Sequence, residues 1–381
     1  MNRLWLFLVM LLPACNALAV KLSDNARMSL ITCAPGDMIY DCFGHSAIRV
    51  YDADHGIDWV YNYGIYNFSQ PNFELNFAKG YLEYKLGKGY FKRFVPIYTR
   101  DERTITELVL DLTPEQRQKV FDFLEWNALP ENQNYFYDYF EDNCATRVRD
   151  VFDQELAIDL CAEFNTAGDE GMSFRDMVHQ YAHNNKWSAL GIDLCLGVKI
   201  DRELEPCEYV FLPDYLHNLL EQFEWNGRAL VKEEGIIYAG TPRLSTPFLK
   251  GPLFWFWLVS ALLMLVLIKG NKGVKKAIDM TLFGLSAFIG LFLLSLWLFT
   301  DHQTTAWNFN LLWAQPLLII ALFLPKRLKV YFFKYWSLTL GAMILLWLLL
   351  PQELNWAFFP VILLLAYRAY SHSTQLQAEV L

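Results

Sequence analysis

Tyr135-Phe-Tyr-Asp-Tyr-Phe-Glu-Asp-Asn-Cys-Ala-Thr-Arg-Val-Arg-Asp150 is the stretch on which the reading of this chain turns. An aromatic, polar loop runs into Asp142-Asn143, and Asn143 reads as a helix N-cap. Cys144 then stands at the first helical position. Behind it Val148, Val151, Phe152 and Leu156 recur at helical spacing, so that face packs inward. A thiolate at a helix N-terminus is stabilised by unpaired backbone N–H groups and the helix dipole. A reactive thiol is built in this way, although a buried structural cysteine is the plainer reading of Cys144 taken alone.

A nucleophilic thiol needs a base within hydrogen-bond reach. The chain has seven histidines. His45, in Phe43-Gly-His-Ser46, opens a segment that alternates as a strand does, with Ala47, Arg49 and Tyr51 on one face and Ile48 and Val50 on the other. After the turn cluster of residues 52–58, Trp59-Val-Tyr-Asn-Tyr63 is a second strand, so residues 45–63 read as a β-hairpin. His55 lies in its turn. His179, His183 and His217 fall on expected helices, and His302 and His372 lie in the apolar C-terminal part. His45 is therefore the candidate base.

The 381 residues divide by composition. Residues 1–19 read as a signal peptide, with Arg3, an apolar core over Leu4–Leu12 and a small-x-small site at Ala17-Leu-Ala19. Rival readings are a retained anchor, for which that core is short, and a lipoprotein signal ending at Cys15, where Pro13 is an odd neighbour. Residues 20–250 are mixed, polar and aromatic, and form the expected catalytic domain. Residues 251–381 are mostly apolar. They hold about five candidate spans, Pro252–Ile268, Ile278–Phe299, Leu311–Leu324, Ser337–Leu350 and Trp356–Tyr370, some short against the ~20 residues a bilayer core requires. Lys269–Lys276 and Pro325–Lys329 are basic, whereas Asp301–Thr305 and Gln352–Asn355 are not. The excess of cations in cytoplasmic loops then puts the N-terminal domain outside the cytoplasm and the C-terminus inside, as the signal also requires. A net charge of -9, without a basic stripe outside the membrane loops, gives no footprint for nucleic acid.

Within the exported domain, Arg103–Leu112 alternates as a strand, and Thr113-Pro-Glu-Gln116 is a capping box that starts a helix to about Asn127. Phe73–Leu86 reads as a helix and then a strand, and Phe174–Trp187 and Pro213–Trp225 as helices. If Cys144 is free and Cys15 leaves with the signal, five cysteines remain, enough for at most two disulfides whose pairing the sequence does not assign. No cysteine or histidine spacing suits zinc, so neither a metal nor a cofactor is expected.

Three stretches carry a family resemblance: residues 33–68 with Phe43-Gly-His-Ser46 and Trp59-Val-Tyr-Asn-Tyr-Gly64, the Tyr135–Asp150 stretch, and Phe299-Thr-Asp-His-Gln-Thr-Thr-Ala-Trp-Asn-Phe-Asn-Leu-Leu-Trp313. Together they resemble the Lnb N-terminal periplasmic domain family, whose members carry a C-terminal membrane part. One departure is Gln315-Pro316, where the family's late loop ends in Asn-Pro. The resemblance implies an apolipoprotein N-acyltransferase of the bacterial inner membrane, moving an acyl chain from phospholipid through a cysteine thioester to a diacylated lipoprotein. The order of His45 before Asn143-Cys144 is also similar to permuted papain-like thiol enzymes (NlpC-like and lecithin–retinol acyltransferase-like), which implies an α+β catalytic domain with a third polar residue orienting the histidine. By its place in the hairpin that residue is Asn62, with Tyr61 and Tyr63 as alternatives. Candidate substrate contacts are Asn143, then Arg147 and Arg149 for a phosphate head group, unless these pair with Asp142, Asp150 or Asp153. His302, Asn308 and Asn310 join them as a lid or acyl-chain guide in an outer loop, against the plainer view of an interfacial anchor. An envelope peptidase or amidase acting on cell-wall peptide is the competing reading.

Overall fold

The structure, a computed structural model, describes residues 20–66, 72, 76, 79–81, 83–166 and 168–380. The expected signal peptide lies outside these residues, as does most of the helix expected after Phe73. The N-terminal part is built on a seven-stranded antiparallel sheet. Its strands are β1 (Arg27–Cys33), β2 (His45–Asp52), β3 (Ile57–Tyr66), β4 (Glu83–Tyr90), β5 (Ile105–Leu110), β6 (Asn134–Phe136) and, beyond the two-stranded ribbon β7 (Glu224–Trp225) and β8 (Arg228–Ala229), β9 (Val231–Tyr238). Their order across the sheet is β6-β4-β3-β2-β1-β5-β9. The expected hairpin is β2–β3, with Ile48 opposite Tyr61 and Asp52 opposite Ile57.

Strand alternation divides the side chains between two layers. Met28, Leu30, Ile48, Val50, Tyr61, Tyr63, Leu108 and Leu110 face the main core. Helices α2 (Pro114–Asn127), α3 (Cys144–Leu156), α4 (Phe174–Tyr181) and α6 (Pro213–Gln222) supply that core's other wall. Ile31, Cys33, Ala47, Val60 and Ile105 face the opposite way, under α1 (Phe91–Thr99), which buries Phe91, Phe94 and Tyr98. Pro96 sits inside α1 and breaks the usual pattern of a helix, so sequence reading passes over it. The Thr113 capping box forms as expected. The helix expected over Phe174–Trp187 is instead broken. A 3-10 turn at Ala182–Asn184 leads to Asn185, whose side chain caps a new helix, α5 (Lys186–Cys195).

Two apolar helices, α7 (Pro252–Lys269) and α8 (Lys272–Phe299), are long enough to cross a bilayer. Beyond the short α9 (Leu318–Ala321), α10 (Lys326–Leu345) and α11 (Phe359–Val380) pack with them around a second core that includes Leu293, Trp313, Leu340 and Ile362. The third expected span, Leu311–Leu324, is not a continuous helix. A 3-10 turn over Phe309–Leu312 precedes α9, and Pro316 lies between them. Side chains satisfy the backbone that this break frees: Ser286 donates to the Trp313 carbonyl at 2.7 Å and accepts from Gln315 N, and Trp336 Nε1 donates to the Leu312 carbonyl. Irregular backbone within an apolar helical part requires such partners. Asp279 of α8 and Arg368 of α11 form a buried ion pair.

The two parts are bonded to each other. Asn308 Nδ2 donates to the carbonyls of Leu194 and Cys195, and Asn310 Nδ2 to those of Asp193 and Leu194. Gln352 Nε2 donates to the Leu196 carbonyl. These are the carbonyls that the C-terminal end of α5 leaves unpaired.

Candidate active site

Cys144 begins α3, and Asn143 caps it. The Asn143 side-chain oxygen accepts from Ala145 N at 2.8 Å and Thr146 N at 3.1 Å, while Thr146 Oγ1 accepts from Asn143 N at 2.8 Å. The Asn143 amide donates to the carbonyls of Tyr139 and Phe211. Asn143 is 3% exposed, and its whole side chain is committed to holding the thiol's backbone. Cys144 itself is 9% exposed.

His45 starts β2 on the sheet face that carries α1, and its ring stacks against Tyr98 with centroids 6.1 Å apart. Asn62 lies on the same face of β3, two residues beyond Val60. Asn62 Oδ1 accepts from His45 Nε2 at 2.5 Å. That contact fixes the tautomer: Nε2 carries the proton it donates, and Nδ1 is the ring nitrogen left for the thiol. Cys144 reaches His45 from the other layer, past the end of the strand, and the two side chains are hydrogen-bonded.

Gly64 makes the approach possible. It has φ +88°, and the β3–β4 register shifts between Asn62 and Ile65. A Cβ placed on Gly64 would lie 3.7 Å from Cys144 Cβ and 3.8 Å from His45 Cε1. A side chain there would pack against both residues, and the positive φ is one that glycine adopts without strain.

Burial pushes the Cys144 thiol up, but the His45 charge, the His45 hydrogen bond and the N–H groups of Ser46 and Cys144 outweigh it, leaving the thiol below its ordinary range. Burial pulls the imidazole down, and the Cys144 charge with the hydrogen bonds to Cys144 and Asn62 raises it above its ordinary range. Each group thus favours the other's charged form, which is the electrostatics of a thiolate–imidazolium pair. Cys33, paired with His45 across β1–β2, is fully buried and hydrogen-bonded to Tyr98, and burial raises its thiol far above the usual range. Arg103, 5% exposed, lies behind Tyr98, with its Nε donating to the Ala34 carbonyl at 2.6 Å. Sequence reading missed Gly64, Tyr98 and Arg103, because each reaches the site through pairing or packing and none through a local motif.

The remaining candidates are placed elsewhere. Arg147 pairs with Asp142 and lies over the Tyr135 ring at 4.3 Å. Arg149 pairs with Asp150 and donates to Cys207 Sγ, beside the Cys161–Cys207 disulfide. Both arginines thus make the aspartate pairs named as their alternative. Asn308 and Asn310 are buried in the junction described above, where both amides are bound to backbone carbonyls. Beside His302, Asp301 N donates to the Lys79 carbonyl, which ties this outer loop to the segment before β4. Among the described residues no three His, Cys, Asp or Glu side chains converge as a metal ion requires.

Sheet and helix layer define an α+β domain carrying a Cys–His–Asn constellation, followed by a helical part with two helices long and apolar enough to cross a bilayer. Residues 19–169 match the Lnb N-terminal periplasmic domain and residues 241–379 the Lnb transmembrane domain, so the chain belongs to the Lnb family and is a membrane protein with a periplasmic domain. No curated protein and no solved structure matches it.

Proposed function

We propose that this protein is an apolipoprotein N-acyltransferase of the inner membrane, working through a thioester on Cys144 with His45 as acid and base and Asn62 as the residue that orients His45. On this reading residues 1–19 are a signal peptide, 20–250 a permuted papain-like catalytic domain and 251–381 a membrane domain of about five spans. The observation that carries the proposal is the hydrogen-bonded series Cys144–His45–Asn62 at the N-terminus of a capped helix.

The Cys144 thiolate attacks an ester carbonyl of a phospholipid, and the Cys144 N–H, which unlike those of Ala145 and Thr146 is not taken by the Asn143 cap, stabilises the oxyanion. The carbon–oxygen bond breaks, and imidazolium His45 gives its proton to the departing lysophospholipid oxygen. The acyl group rests as a thioester. The α-amine of a diacylated lipoprotein's N-terminal cysteine attacks it, neutral His45 takes the amine's proton, and the thiolate leaves. An amide forms at the expense of a thioester, which drives the transfer. Membrane helices suit a reaction whose donor and acceptor are both held in a bilayer.

The test is intact mass after incubation with phospholipid, for the wild type and Cys144→Ala. We expect a fatty-acyl adduct that neutral hydroxylamine removes and the variant lacks. No adduct on a thiol shown to be free would sink the acyltransferase reading and favour peptide-bond hydrolysis.

A further inference from the structure

A groove of about 460 Å³ lies between α1 and the β3–β4 pair, and Asn62, Ile65, Gly87, Gly89, Phe94 and Ile97 are among its walls. It is of the size of a small-ligand cleft, roughly 300–1,000 Å³. It adjoins the site at Asn62, which is at once a wall of the groove and the partner of His45 Nε2.

Its floor is written in the sequence Gly87-Lys-Gly89. Alternation along β4 turns both glycines toward α1 and Lys88 the other way, where its ammonium sits 3.4 Å from the Trp59 ring centroid and pairs with Glu125. A Cβ on Gly87 would run into Ile65 Cδ1 at 2.1 Å, so Ile65 fills that space. A Cβ on Gly89 would meet nothing within 4 Å. The groove is open where Gly89 lies, and only the lack of a side chain keeps it so.

The lining is mainly apolar: Val60, Ile65, Phe94 and Ile97 contribute, no acidic residue does, and Lys88, Tyr90 and Arg93 stand at its rim. Ile97 is 51% exposed on the solvent side of a helix whose inner face is aromatic. Between Asn62 and Trp59 the groove follows three strand steps, about 10 Å.

We propose that this groove holds the hydrocarbon chain of the acyl group carried on Cys144, and that Gly89 sets the chain length accepted. This rests on the acyltransferase reading and adds to it a subsite. A mainly apolar slot without acids, sharing Asn62 with the catalytic series, offers a methylene chain burial.

The experiment measures thioester formation on the full-length protein in detergent, from phosphatidylcholine with hexanoyl or palmitoyl chains. Wild type, Gly89→Leu and Ile97→Asp are compared. Leu at position 89 meets no atom at its Cβ, and Ile97 is half-exposed, so neither variant threatens the fold; iodoacetamide alkylation of Cys144 checks this. The expected result is a fall in the palmitoyl-to-hexanoyl rate ratio by roughly tenfold or more in each variant, with alkylation as in the wild type. An unchanged ratio overturns the inference while the acyltransferase reading stands. So does normal acylation combined with slowed transfer to a lipopeptide acceptor, which would make the groove a peptide site. Wild-type protein that forms no adduct from either lipid sinks the acyltransferase reading and the inference with it.

Discussion

Burial alone would push the Cys144 thiol up, and His45 is the group that does most to bring it below its ordinary range. The signs give a pH window. Thiolate forms as pH rises through the lowered Cys144 pKa, and imidazolium is lost as pH rises through the raised His45 pKa. Both shifts favour the thiolate–imidazolium form, so iodoacetamide alkylation should have its midpoint below that of free cysteine. His45→Ala should move that midpoint to alkaline pH and slow acyl transfer by about 10²–10⁴-fold, the usual worth of a general acid–base group. Asn62→Ala removes a hydrogen bond to the imidazolium, about 1.5–3 kcal/mol, or roughly ten- to a hundredfold in rate. Because that bond raises the His45 pKa, its loss should also pull the alkaline limb of the pH–rate profile down. An alkaline limb that stays in place would show Asn62 to be merely structural.

At the scale of the element, the thiol's position depends on the first turn of α3. Asn143 serves as N-cap through its oxygen and as a donor to two separate loops through its nitrogen. Asn143→Ala should cost about 0.5–2 kcal/mol for the cap and a further 1–3 kcal/mol or so for carbonyls left without a donor. Chemical denaturation in detergent should show the lowered midpoint, and alkylation of Cys144 should slow, because the N–H groups that face the thiolate lose their register. Asn143→Asp keeps the cap oxygen but not the amide donor, and should recover only part of the loss. Hairpin β2–β3 brings His45 and Asn62 to one sheet face, and the bulge at Gly64 lets α3 meet them at its edge.

For the whole molecule, the junction between the periplasmic sheet domain and the membrane helices is a network centred on Asp193. Arg175 and Asp193 are both fully buried. Asp193 accepts from Arg175, from His179 and from Asn355 Nδ2 at 2.7 Å, while Arg175 also pairs with Asp201. Removing one member of such a network strands a buried charge, at about 3–5 kcal/mol. Asp193→Ala should therefore loosen the two parts from each other, read as faster limited proteolysis between Leu196 and Lys250, while Cys144 alkylation stays near the wild-type rate. Proteolysis unchanged from wild type would show that the apolar contacts at the junction hold it alone. The Asn308 and Asn310 side chains belong to this junction, which is why a loop that reads as a lid in sequence is a brace in three dimensions.

Local signals settled much in advance. The cap before Cys144, the capping box at Thr113 and the β2–β3 hairpin each depend on residues close together along the chain, so spacing and residue type suffice. The long apolar segments of α7 and α8 were legible for the same reason, since crossing a bilayer is a property of one helix's composition and length. Tertiary structure alone decided the rest. Helix α1 was hidden by Pro96, and the third apolar segment, interrupted around Pro316, is tolerated because Ser286 and Trp336, far away in sequence, satisfy its backbone. The Cys161–Cys207 pairing, the closeness of Gly64 to thiol and imidazole, and the groove over Gly89 likewise arise from contacts between distant segments. A sequence shows which side chains can do chemistry and which backbone can turn; the packing of distant layers sets where a free edge, a missing Cβ or a spare amide falls relative to them.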